Sequence, residues 1–320
     1  MRAVQVVRLD GPEALELRDV PEPDGDGQVV VDVRAAGVTY PDVLLTRGRY
    51  QLRPEPPFTP GSEIAGVVRS APSGAAVKPG DRVAGFPGIG GFQDVVALDP
   101  SLVFPLPDQV SYAAGAGLPM NYLTVHFALV RRGRLEPGET VLVHGAAGGV
   151  GTAGIQLAKA LGARVIAVAS SPEKQQVARE AGADETVDVA GFKDAVKGLT
   201  DGQGVDVVLD PVGGDRFTDS LRCLAPEGRM LVVGFTGGEI PTVKVNRLLL
   251  NNIDVVGVGW GAYALPRPGY LRHQWSELLP YLESGVLDPP LGGSYPLERT
   301  AEAVAALDQR RATGKLIIEF

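Results

Sequence analysis

The chain has 320 residues, of which 44% are apolar and 21% charged, and its formal net charge is −8. That length accommodates two domains of ordinary size, and an acidic chain without any long run of Lys or Arg excludes nucleic-acid binding through phosphate neutralisation. One cysteine, Cys223, excludes a disulfide framework and any multi-cysteine metal site.

The opening MRAVQVVRLDGPE carries charge by its second residue and lacks the apolar core of a signal peptide. No apolar stretch reaches the roughly 18 residues that span a bilayer. The expectation is a soluble cytoplasmic protein with no membrane partner. Residues 1 to about 118 read as short strands broken by Gly and Pro: VVVDVR at 29–34, IAGVV at 64–68 after a Pro-Gly turn, and the turn PGDRVA at 79–84 leading into another strand. Frequent turns between short strands predict a β-rich, barrel-like domain. From about 119 the pattern changes. NYLTVHFALV at 121–130 predicts a buried helix, followed by strand 140–144, helix 150–161, strand 164–169, helix 172–181, strand 205–210, helix 215–224 and strands 229–234 and 253–258. Strands alternating with helices predict βαβ units and a parallel sheet. Beyond 261, the link ALPRPG leads to helices near 271–284 and 298–312 and a last strand at 315–320. The predicted organisation is therefore α/β, with 1–118 and 262–320 forming one domain around a doubly wound parallel sheet at 119–261.

Within the predicted sheet, HGAAGGVG at 144–151 follows a strand and opens a helix. A phosphate needs backbone N–H donors at close range, and a helix N-terminus supplies them together with a favourable dipole. The dinucleotide pattern asks for Gly at the turn, at the close approach and at the helix–strand contact. Here Ala146 stands at the first place, with Gly148 and Gly151 at the others. The strand RVIAVA follows at 164–169, as the motif requires. Ala147, Gly148, Gly149, Val150 and Gly151 are thus candidate cofactor contacts. That second strand ends in ASSPEK at 169–174, with no acid at its end to hold a ribose 2′-hydroxyl. Ser170, Ser171 and Lys174 suit a 2′-phosphate, which favours NADPH, although Glu173 opposes it and Ser171 equally suits a helix cap.

These segments resemble the medium-chain dehydrogenase/reductase superfamily and, within it, the zinc-free quinone oxidoreductases of the zeta-crystallin type. The likeness rests on AGVTYPD at 36–42, RGRY at 47–50, PGSEIAG at 60–66, the AAGGVG loop, DPVGG at 210–214 and GKLII at 314–318. It implies a GroES-like barrel domain made from both chain ends and a Rossmann domain inserted between them. It also implies that Thr124 lies beside the nicotinamide and that Val212, Gly234, Phe235, Val258, Gly259 and Trp260 approach the cofactor. Lys315 is implied as a pyrophosphate contact, with a solvated surface lysine as the alternative. The superfamily's alcohol dehydrogenases hold a catalytic zinc; their ligand places read Thr39, Ser62 and about Met120 here, leaving Glu63 alone of the usual ligands. No metal is expected.

What this implies is hydride transfer from NADPH to an electron-poor acceptor, a quinone. Thr39 stands where many relatives have Asn. In related enoyl-thioester reductases a tyrosine at the place of Tyr50 is the proton donor, so an enone or enoyl-thioester C=C reduction is the alternative; Tyr50 and the neighbouring Tyr40 equally suit an aromatic pocket wall. A third reading is a structural NADPH-binding protein without turnover. The resemblance further implies a homodimer joined along the strand at 253–258, an apolar sheet edge.

Overall fold

The computed structural model describes all 320 residues, which divide into two compact units: residues 1–120 with 268–320, and residues 121–267. The first stretch of chain contributes strands β1 (Arg2–Val6), β2 (Leu15–Asp19) and β3 (Val29–Val38), then helix α1 (Tyr40–Thr46). Strands β4 (Glu63–Ser70), β5 (Arg82–Gly85), β6 (Val95–Leu98) and β7 (Val103–Pro105) follow, then helices α2 (Tyr112–Gly115) and α3 (Pro119–His126). The inserted unit runs through β8 (Thr140–Val143), α4 (Gly149–Ala160), β9 (Arg164–Ala169), α5 (Pro172–Glu180), β10 (Glu185–Asp188) and α6 (Phe192–Leu199). It continues with β11 (Val205–Asp210), α7 (Phe217–Leu221), β12 (Leu224–Val232), α8 (Asn246–Asn251), β13 (Asp254–Gly257) and α9 (Trp260–Ala264). The returning chain adds α10 (Tyr270–Glu283), β14 (Leu291–Pro296), α11 (Thr300–Asp308) and β15 (Lys315–Glu319). No helix is long and apolar enough to cross a membrane.

In the first unit, seven strands form one sheet in the order β14-β15-β3-β4-β5-β7, with β6 also paired to β3. β3 is the axis. Its sequence VVVDVRAAGV is buried at eight of ten positions, which is why it reads as a continuous apolar run rather than an alternating one. Val31, Val33, Ile64, Phe92, Leu316 and Ile318 pack into a common core, each full burial of such a side chain contributing about 1.5–3 kcal/mol. The returning chain is tied on by Trp275, whose ring stacks on Phe104 at 4.9 Å and whose Nε1 donates to the Pro105 carbonyl at 3.0 Å.

The second unit has six parallel strands in the order β10-β9-β8-β11-β12-β13. Counted from β8 this is the 3-2-1-4-5-6 order of a doubly wound dinucleotide fold, whose direction of winding reverses between β8 and β11. β8, β9 and β11 are almost wholly buried, as a sheet covered by helices on both faces requires. At the opposite edge from the loops, Arg229 on β12 grips Glu139 with two bonds of 2.7 Å and donates to the Gly133 and Arg134 carbonyls.

The structure adds elements to those expected from the sequence pattern. β10, ETVD, is a four-residue edge strand with one buried residue, too short and polar for a period-2 signal. α6 buries Phe192 and Val196, an i, i+4 pair that does carry a helical signal. The helix expected at 215–224 is a 3₁₀ turn at Gly214–Arg216 followed by the short α7, because β12 already begins at Leu224. The helix expected at 121–130 starts at Pro119 and passes into a π-helical turn, Phe127–Arg132.

Candidate functional site

The glycine loop leaves β8 through Gly145, whose φ of +58° is the left-handed turn that only glycine adopts without strain. The tight-turn glycine is therefore Gly145, one residue ahead of the Ala146 that the motif spacing selects. α4 begins two residues after Ala147, with Gly148 as its N-cap and no side chain capping its amides. A Cβ on Gly151 would meet the Gly145 carbonyl and, at 2.7 Å, the Ala146 Cα; a Cβ on Gly149 would meet the Asn121 amide. A Cβ on Gly148 would make only an ordinary contact at 3.4 Å. A Cβ at 149 requires only that the Asn121 side chain move, whereas Gly151 is demanded by backbone packing. Gly148 is not, and it stands where an anion would approach the uncapped helix end.

The other loops of the carboxyl edge gather beside this cradle. Val212 lies 3.1 Å from the place a Gly145 Cβ would take, and Phe235 2.8 Å from that of Gly213. The loop after β12, with Gly234 and Phe235, is fastened to the loop after β11 by Thr236 N–H on the Pro211 carbonyl (3.1 Å) and Gly237 N–H on Val212 (2.8 Å). Val258, Gly259 and Trp260 follow β13, and the Val258 amide donates to Val232 at 2.9 Å. Thr124 is buried on α3. At the end of β9, Ser170 is exposed. Ser171 caps α5: its Oγ accepts the Lys174 N–H at 3.3 Å and its hydroxyl bonds the Glu173 carboxylate, which holds that carboxyl below its usual range. The Glu173 charge is thus drawn to the amino end of α5, the favourable end of the helix dipole.

In the first unit, Thr39 precedes α1 and Asp42 occupies its third position. Asp42 Oδ2 accepts from the Thr39 amide (2.8 Å) and hydroxyl (2.6 Å), and Oδ1 from the Gly61 amide (2.9 Å). Thr39 Oγ1 lies 3.1 Å from Ser62 Oγ. Because the Thr39 hydrogen is on Asp42, Ser62 is the donor in that contact. The single hydroxyl hydrogen of Thr39 is therefore engaged by Asp42. Burial pushes the Asp42 carboxyl up to about 6, against the bonds from Thr39 and Gly61 and the charge of Lys315.

For Lys315 the structure excludes the surface alternative. It is no solvated surface lysine: it is 3% exposed, and its Nζ is ion-paired with the wholly buried Glu63. The other Glu63 oxygen accepts the Met120 amide at 2.7 Å. Burial raises the Glu63 carboxyl, and Lys315 and the Met120 N–H oppose the rise. Tyr50 is half-buried against Val6, Leu45 and Phe58, and burial followed by the Asp42 charge raises its phenol. Tyr40, at the start of α1, packs against the first unit's core. Two hydroxyls, a backbone amide and a carboxylate already matched by an ammonium do not fit a zinc ion, and nowhere do three His, Cys, Asp or Glu side chains come together. The roles of Asp42, Gly145 and Asn121 are not legible from the motifs: one is signalled only by its three-residue spacing from Thr39, one is off the dinucleotide register, and one meets the loop only in space.

Residues 25–108 match the family model described as alcohol dehydrogenase GroES-like domain, and residues 149–284 the one described as zinc-binding dehydrogenase. Over its whole length the chain is 40% identical to quinone oxidoreductase-like protein 2 of Bos taurus, covering 92% of that protein. Among solved structures it is similar to a probable oxidoreductase from Mycobacterium abscessus, with a TM-score of 0.92, 45% identity and coverage of 100% and 99%. It is also similar to the quinone oxidoreductase of Thermus thermophilus, solved with and without NADPH, with a TM-score of 0.87, 36% identity and all of this chain and all of that chain covered.

The Asp42 site gives a pH prediction. A rise from the ordinary 3.8 to about 6 corresponds to about 3 kcal/mol. The stability it represents is present below the unfolded value, where the acid is protonated in both states, and is lost as pH climbs through the folded one. Wild type should therefore lose stability relative to Asp42→Asn between about pH 4 and about pH 7, read from urea midpoints. A difference that does not change with pH contradicts the assignment.

Proposed function

We propose a function for this chain from one premise: it belongs to the medium-chain dehydrogenase/reductase family, among the zeta-crystallin-like quinone oxidoreductases. The protein is an oxidoreductase that transfers a hydride from NADPH to a quinone-type acceptor without a metal. The observation that carries the reading is the uncapped amino end of α4 behind Gly148, a glycine that packing within the protein does not demand. Ala147, Gly148, Gly149, Val150 and Gly151 hold the pyrophosphate, and Ser170, Lys174 and, once its hydroxyl turns from Glu173, Ser171 receive the 2′-phosphate. Thr124, Val212, Gly234, Phe235, Val258, Gly259 and Trp260 line the remainder of the nucleotide.

NADPH, when bound, supplies the hydride. The chain's own part is to bind, orient and exclude water. A conjugated dicarbonyl spreads the incoming charge over its own oxygens, so it needs neither zinc nor a strong protein acid. That suits a first unit whose buried acids are all matched internally. Tyr40 and Tyr50 serve as aromatic walls for a flat acceptor. The second reading, C=C reduction, takes support from the Tyr50 phenol, which burial keeps protonated and so able to donate to the α-carbon; the same shift makes it a reluctant acid. A homodimer is part of the proposal. β13 is the last strand of its sheet, and Ile240, Val245, Leu249 and Leu250, each more than 70% exposed, cluster in the stretch that precedes it.

Steady NADPH consumption with a panel of quinones is the primary test, and its absence would leave the structural reading. Lys174→Ala should raise KM for NADPH roughly tenfold and leave that for NADH within about twofold. Equal losses with both nucleotides would remove Lys174 from the 2′-phosphate site. Tyr50→Phe should leave quinone turnover within about threefold of wild type; a collapse of enone turnover alone identifies the second reading. Light scattering should return twice the chain mass, and a monomer would overturn the dimer.

A further inference from the structure

The strands on either side of the switch point, β8 and β11, end in a polar pair that the proposed reaction does not use. Leu209 is registered with Val143, and the His144 amide donates to the Leu209 carbonyl at 3.0 Å. His144 and Asp210 therefore continue the ladder side by side and project to one face of the sheet. Both are buried, and Arg216 follows in the 3₁₀ turn after β11.

Hydrogen placement is fixed by the neighbours. Ser220 Oγ donates its single hydrogen to the Arg216 carbonyl at 2.9 Å. In the 2.8 Å contact between Ser220 Oγ and His144 Nε2 the imidazole N–H must then be the donor. His144 Nδ1 carries a lone pair, and no group of the protein donates to it. Asp210 Oδ1 accepts from the Val212 and Gly213 amides at 2.8 and 3.0 Å, whereas Oδ2 has no partner in the protein. Arg216 Nε is a buried donor that also has none. Burial, and after it the Arg216 charge, depress the His144 imidazole to about 3, so it is neutral. Burial raises the Asp210 carboxyl, and the two loop amides and Arg216 hold it back. The guanidinium is felt by both neighbours.

We propose that His144, Asp210 and Arg216 form a binding site for one neutral polar molecule, a water, which latches the loop after β11 to the end of β8. The unmet groups are two acceptors and one donor. A water donates to His144 Nδ1 and Asp210 Oδ2 and accepts from Arg216 Nε, meeting all three. A cation is opposed by the guanidinium. A simple anion has no hydrogens for the two acceptors and is opposed by the carboxylate. The latch acts directly behind the cradle, since His144 is bonded to Gly145 and Val212 of the latched loop packs toward Gly145. Its consequence for cofactor binding rests on the nucleotide reading above; the site itself does not.

A crystal structure at a resolution that shows ordered solvent should place a peak about 2.7–3.2 Å from His144 Nδ1, Asp210 Oδ2 and Arg216 Nε. No peak there, or a direct bond among the three side chains, overturns the site. In solution, ¹⁵N NMR should find His144 as the Nε2–H tautomer with a hydrogen-bonded Nδ1; a proton on Nδ1 overturns it. His144→Phe should lose the peak and weaken NADPH binding roughly tenfold, as measured by nucleotide fluorescence. Unchanged affinity in that variant removes the latch. Wild type that fails to bind NADPH sinks the nucleotide reading instead, and the density and the tautomer still decide the water. Both are wild-type measurements, so the site stays testable if the variant does not fold.

Discussion

A side chain at residue 151 would collide with the Gly145 carbonyl and the Ala146 Cα, so α4 lies against the end of β8 more closely than any other residue permits. Much in the second unit follows from that approach. It brings the amino end of α4, with its unpaired amides and partial positive charge, to the carboxyl edge of the sheet at the place where the winding reverses. It requires Gly145 to turn left-handed, which sets Val212 and the loop after β11 beside the cradle. Asn121 closes the other side against Gly149. The cradle is thus defined by exclusion of side chains before any ligand contact is considered.

The first unit is organised by charge neutralisation. Glu63, next to Ser62, and Asp42, which holds Thr39, are buried carboxyls, and each is satisfied within the chain: one by an ammonium and an amide, the other by two amides and a hydroxyl. A buried ion pair is weak evidence for stability, because desolvation offsets attraction, but removing one partner of such a pair is costly. The Glu63–Lys315 pair is therefore intolerant of single substitutions, and the pair itself presents no net charge. That suits the acceptor proposed above, which carries its own means of stabilising charge.

The alternation of strands and helices after residue 119, and the turn-rich strands before it, were enough to identify the two architectures, because buried parallel strands and frequent Gly-Pro turns have distinct local patterns. Edge elements were not legible. ETVD of β10 and LGGSYP of β14 carry almost no burial and so leave no periodic trace. In the site, the strand–glycine–helix context was readable, but not which glycine makes the turn: spacing points to Ala146, while backbone geometry selects Gly145. Lys315 illustrates the deeper limit. Its sequence neighbours describe a turn and a strand, and nothing local says that the ammonium meets Glu63 in the core. His144 and Asp210 belong together only through the register of β8 and β11, a relation between strands that no single segment contains.

The meeting of residues 63 and 315 has a consequence for biosynthesis. β3 and β4 emerge early from the ribosome, yet β15, which lies beside β3 and carries Lys315, emerges only after the whole inserted unit has been made. Units fold largely as their residues become available, amino-terminal first, except where a unit is split as this one is. The nascent chain therefore holds a finished parallel sheet beside an unclosed antiparallel one, with Glu63 still lacking its cation. Quality control that senses exposed, unpaired strand edges would see the first unit, not the second, as the incomplete part until the arrival of β15 closes it.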